Sequence, residues 1–316
     1  MDRPELALSG RALLLGAVAL PLATFATTFP VAHLQRDNPT GTLLTFLSNT
    51  IDYPPSSNIG TFGLVLSLGA LLFVMILRHV LLTERLSRAS LSLRGAGPSA
   101  GSALTAQQID GVYVGATDRI ALARDRQLRA WRCSSERCLA VGCTALLGGL
   151  VVCSVQPHAN FPVHLSGAGV FFLGSAVLTA WSTALDSRLA GKLPHLLPSQ
   201  AAALSAFSAV DGPGLRLRRC IAALTALTFL LGFCLGVLMN GQNMLGWAWV
   251  GRVLPADQRQ QLVFTVGPFV EMALLVLFVL HFLTLLPVFW RLRVRLVMTV
   301  QWDDPSSATV QAPYGS

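Results

Sequence analysis

Six near-continuous runs of apolar residues, each about 20 residues long, constrain this chain more than anything else in it. They lie near residues 12–32, 61–82, 138–156, 162–185, 219–240 and 264–290. In hydrocarbon the backbone N–H and C=O groups find no water, so a spanning segment must satisfy them as a helix or within a closed barrel. Each run is too long for a barrel strand and lacks period-2 alternation, which leaves helices. The expectation is an all-α, polytopic membrane protein. A six-transmembrane-helix bundle would occupy residues 1–300, with an insertion at 84–136 and a disordered tail at 301–316. Composition agrees: 12% of residues are charged and mean hydropathy is +0.59, against about 25% charged in an average soluble protein. The short "QPHAN" link between the third and fourth runs makes them a helical hairpin.

The net charge of +8 is a topology signal, not a mark of nucleic-acid binding. All but three of the 23 Lys and Arg residues fall before run 1, from the end of run 2 to residue 137, between runs 4 and 5, or after run 6. The exceptions are Arg36, Arg252 and Arg259. Basic residues collect in cytoplasmic loops, so both termini are expected to be cytoplasmic. Residues 1–26 read alternatively as a cleaved signal peptide, but "ATFATT" is a poor match to a small-x-small cleavage site. The six cysteines, at 133, 138, 143, 153, 220 and 234, all lie in spans or at their cytoplasmic ends, so no structural disulfide is expected. Cys133, Cys138 and Cys220 sit where palmitoylation occurs, although buried apolar filler is the plainer role.

Within the insertion, "SLSLRGAGPSAGSA" has linker composition. The following "TDRIALARDRQLRAWR" places Ile120, Ala123, Leu128 and Trp131 roughly on one helical face, among Arg119, Arg124, Arg126, Arg129 and Arg132. Two readings stay open. It is either a basic amphipathic helix on an anionic cytoplasmic leaflet, with membrane phospholipids as partners, or a cytoplasmic extension of the third span. Gly63 with Ser67, and Gly232 with Gly236, are four apart inside spans and permit close helix approach within the bundle.

Enzyme motifs of the ordinary kinds are missing: no GxSxG, Walker loop, HExxH or CxxC occurs. No cofactor is expected. Ionisable residues in or beside spans are costly and therefore become the site candidates. His164 opens the fourth span on the outer side, Glu271 lies about two turns into the sixth, and Asp52 and His158 belong to outer loops. Such a group has the chemistry for acid–base work or zinc binding, but its four separate segments give no metal-ligand spacing. The plainer reading is a polar lock in which His164 and Glu271 hydrogen-bond across two helices. His281 is expected to be a neutral core histidine. Ahead of the second span, Pro54 and Pro55 hold φ near −65°, so residues 33–58 read as a stiff outer lid.

Three stretches carry a resemblance: "LSNTIDYPP…FGLVL" from residue 47, "VHLSGAGVFF" at 163–172, and "EMALLVLFVLHFLTLLPVF" at 271–289. In this order and on these spans they resemble the damage-regulated autophagy modulators and their Frag and Sfk relatives, a family of six-span membrane proteins. The matching residues are Ser48, Thr50, Pro54, Pro55, Phe62, Gly63, His164, Gly167, Ala168, Glu271, Phe282, Leu283, Thr284, Pro287 and Phe289. Asn49 and Ile51 stand where the family loop has Asp and Gly, and Asp52 offers an acid three positions on. The resemblance implies a non-enzymatic regulator of autophagy at the lysosome or of phosphoinositide signalling at the plasma membrane. Alternatively, it implies a Golgi enzyme or accessory that remodels GPI-anchor lipids through an outward His/Glu site.

Overall fold

The computed structural model describes residues 5–34, 46–95, 111–196, 212–244, 256–290 and 292–297. Strand β1 (Glu5–Ser9) leads into α1 (Gly10–Leu34), and a 3-10 helix (Leu47–Ile51) precedes α2 (Ser56–Gly95). Then follow α3 (Gly111–Ser154), α4 (Phe161–Leu196), α5 (Gly212–Met244), α6 (Ala256–Leu283), the short α7 (Leu286–Trp290) and β2 (Arg293–Val297). Among the described residues, six helices are long and apolar enough to cross a membrane. They match the six runs one for one. The tail 301–316 and much of the 84–136 linker lie outside the described residues.

The tightest seam joins α3 to α4. A Cβ on Gly148 would sit 2.8 Å from the Gly167 carbonyl oxygen, and one on Gly167 would sit 2.7 Å from Val151 Cγ1. Only glycine lets the two backbones meet there, which is how small residues associate helices in a membrane. Gly63 does the same against Thr24, joining α2 to α1. At the hairpin, Asn160 Oδ1 accepts the Val163 N–H at 3.3 Å, and Pro162 fits the first turn because no helical N–H is lost there.

One feature was not legible beforehand, and another was legible only as one of two readings. β1 and β2 pair antiparallel with Leu6 opposite Leu296, so a two-stranded ribbon ties the segment before α1 to the segment after α7 in an otherwise helical fold. Arg11 stacks over the Trp290 ring at 3.7 Å beside it. The second is a stalk. α2 and α3, of 40 and 44 residues, run about 60 and 66 Å, roughly twice the hydrocarbon thickness. Leu86, Leu128, Trp131, Leu185 and Leu189 form a separate core where they overrun the bundle with α4. Trp131 is 5% exposed inside that core. The segment is thus the extension of the third span, and its tryptophan faces protein, not lipid. Arg126 and Arg129 stay exposed, Arg124 partly so, and Arg129 pairs with Asp125 at 3.2 Å.

Candidate functional site

Of the expected lid at 33–58, residues 35–45 lie outside the described residues, 33–34 end α1 and 56–58 open α2. The stretch from Phe46 to Pro55 folds over the ends of α1, α2 and α6 as a lid. Its 3-10 helix starts with unbonded N–H groups, and Phe46 before it supplies no side-chain cap. Glu271 fills that role from α6. Its Oε2 accepts the Leu47 N–H at 2.7 Å, and the Ser48 N–H is directed at the same carboxylate. An acceptor at a helix N-terminus satisfies N–H groups that have no partner within the helix. On either side, Thr50 Oγ1 lies 3.3 Å from Thr28 Oγ1, and the Phe46 ring meets Phe264 edge-on at 6.1 Å. The Pro54–Pro55 bond is cis, and Ser56 Oγ and the Ser57 N–H both donate to the Tyr53 carbonyl, at 2.7 and 2.8 Å.

The far edge of the lid docks on the hairpin link. Asp52 Oδ1 sits 2.6 Å from His158 Nδ1 and accepts the His158 backbone N–H at 3.3 Å. Tyr53 stacks on the same imidazole, centroids 4.7 Å apart and planes within 9°. Asp52 has 11% of its side chain exposed and His158 40%. This is the acid–imidazole pair that the structure does assemble.

The expected bond between His164 and Glu271 does not form. His164 Nδ1 donates to the Val155 carbonyl at 2.6 Å, because the six-residue link 155–160 returns α4 against the end of α3 and leaves that carbonyl within reach. His164 is 4% exposed. Glu271 is drawn to the lid's N–H groups. The four outer candidates therefore divide into one pair and two separately bonded groups. Among the described residues no set of three or more His, Cys, Asp or Glu could hold a metal ion. His281 is 3% exposed, with Nε2 2.9 Å from Ser182 Oγ.

Beneath the lid, Phe25, Leu68, Phe171, Phe278, Ser67 and Glu271 border a residual cavity of about 70 Å³. That is less than half of the roughly 150 Å³ apolar cavity known to admit benzene. A lipid headgroup has no room there while the lid is closed.

The opposite end holds a charged cluster that hydropathy had only counted as basic residues. Asp186 on α4 takes Arg78 Nη2 at 2.9 and 3.1 Å and is also bonded by Arg218 Nη1. Arg218 Nε donates to Thr284 Oγ1 at 2.6 Å. The signal was available: opposite charges within about a turn of three span ends, on the same side.

A family model described as the Frag1/DRAM/Sfk1/Cwh43P N-terminal domain matches residues 9–292. No curated protein and no solved structure matches the chain.

Proposed function

We propose, for a chain that belongs to the Frag1/DRAM/Sfk1/Cwh43 N-terminal domain family, the role of a non-enzymatic multi-pass membrane regulator. One observation carries it: Glu271, the acid of the family pattern, is engaged as the cap of the lid's 3-10 helix. A carboxyl group that accepts a lid N–H at 2.7 Å from inside the bundle is a latch, not a free general base. His164 is likewise bonded, to Val155, and the small cavity below supports the same reading. The regulatory setting that goes with it is autophagy at the lysosome or phosphoinositide signalling at the plasma membrane, with anionic phospholipids meeting the exposed stalk arginines.

Remodelling of GPI-anchor lipids is the second reading, favoured by the partly exposed Asp52–His158 pair. Acid–base chemistry needs a group that substrate can reach, and His158 is one. The two separate in cells lacking the gene, complemented with His158→Ala or Glu271→Gln. A regulator whose lid is structural predicts unchanged surface display of GPI-anchored proteins with His158→Ala at normal protein level. Lost display at unchanged protein level would overturn that reading in favour of lipid chemistry.

The orientation proposed with it places both termini and the stalk in the cytosol, from the distribution of Lys and Arg. Cys133 is exposed on α3, so it reports the side directly. In a variant retaining only that cysteine, a membrane-impermeant maleimide should leave it unlabelled in intact cells and label it once digitonin opens the plasma membrane alone. Labelling in intact cells, or only after internal membranes are dissolved, would reverse the topology.

A further inference from the structure

The cluster at the basic end is short of one negative charge. Arg78 and Arg218 share the single carboxylate of Asp186, which leaves one guanidinium charge uncompensated. Other carboxylates with described side chains do not supply it. Glu84, Asp125 and Glu136 pair one turn along their own helices with Arg88, Arg129 and Arg132. Asp52, Asp257 and Glu271 stand at the lid end. Arg218 is 1% exposed, yet its Nη2 has no hydrogen-bond partner, and neither does Nδ1 of the buried His281. The two belong to one network, since Thr284 Oγ1 accepts from Arg218 Nε and donates to the His281 carbonyl at 2.6 Å. A buried cation with a free donor is expensive, and native structures pair such groups.

We infer that this cluster is a binding site for a phosphate-type anion, supplied by a phospholipid of the leaflet at the basic end. A guanidinium fork is the side chain best matched to phosphate oxygens. Arg218 Nη2 is the free prong. The cluster is not sealed: Arg78 and Asp186 keep 17% and 13% of their side chains exposed. Arg188, Lys192, Arg216 and Arg219 are exposed at the same end, and they draw anionic headgroups toward it. Arg219 Nε already rests on Ser187 Oγ at 3.2 Å, which holds α5 to α4 beside the cluster. The site sits where a span enters the headgroup layer, so lipid phosphate arrives at the right depth. This assignment does not depend on the role of the lid.

Native mass spectrometry of the full-length protein in detergent, titrated with phosphatidic acid or phosphatidylcholine, tests it. The wild type should retain phosphatidic acid about tenfold more strongly, a preference of the size one to two basic residues provide. Arg218→Gln should remove that preference, Arg218→Lys should keep part of it, and the exposed control Arg216→Gln should change it less than about twofold. Phosphatidic acid should also raise the wild-type melting temperature where phosphatidylcholine does not, a readout independent of whether Arg218→Gln folds. Inorganic phosphate in excess should fail to displace the lipid. Displacement would keep the anion site and overturn the lipid source. Equal retention of the two lipids by the wild type, or an Arg218→Gln protein that behaves as wild type, would overturn the site.

Discussion

Asp186→Ala should be the most damaging single substitution in the described residues, lowering stability by about 3–5 kcal/mol. The carboxylate is the shared acceptor for Arg78 and Arg218, and Arg218 keeps 2% of its side chain exposed. Removing it leaves two guanidinium groups near one another with no counter-charge, one of them almost fully buried. Breaking a buried pair costs more than making it gained, because the desolvated charge remains. Asp186→Asn retains an oxygen acceptor and should lose less, about half as much. Thermal unfolding in detergent, followed by loss of the monodisperse peak, reads the difference. A loss below about 1 kcal/mol for the alanine variant would mean that the cluster behaves as an ordinary surface ion pair.

The second large effect belongs to Glu271→Ala. Leu47 and Ser48 would keep their N–H groups pointing into a space lined by Phe25, Leu68 and Phe278, with no acceptor. Leaving a buried donor unsatisfied costs about 1–3 kcal/mol, and that is the expected loss. Most of it should appear locally, as opening of residues 46–55. The measurement is protease cleavage within the lid on the lid side of oriented vesicles, which should rise steeply in the variant. Glu271→Gln keeps an oxygen acceptor without the charge and should fall between. Should the lid resist protease equally in all three proteins, the hydrophobic contacts of Phe46 and Ile51 hold it closed, and Glu271 is not its latch.

Some of this was legible in the amino-acid order, and some was not, for reasons that differ by residue. The lid was legible because Pro54 and Pro55 restrict their own backbone, a purely local effect. The stalk was half legible. Leu128 and Trp131 clearly share a helical face, but a helix face says only that something apolar covers it. Leu86, Leu185 and Leu189 covered it, not lipid. Gly63 was legible as a close-approach point because a missing Cβ is local as well, whereas its partner Thr24 and the Gly167–Val151 contact were not. Gly236, expected to allow such an approach, has nothing within 4 Å of its Cβ position.

The sequence by itself determined the number of spans and the placement of the family motifs, and it carries the charge asymmetry on which the proposed orientation rests. Each of these is a sum over consecutive residues. Tertiary structure alone decided which polar groups meet. Leu47 reaches Glu271 across 224 positions, Asp52 reaches His158 across 106 and Arg78 reaches Asp186 across 108. Hydropathy places such residues at a depth but leaves their rotation about the helix axis open. That rotation is set by packing, by Gly148 against Gly167 and Gly63 against Thr24. A hydrogen bond spans about 3 Å, whereas depth along a helix constrains only one of three coordinates. His164 and Glu271 therefore share an end of the bundle, as their positions required, and still bond to different partners.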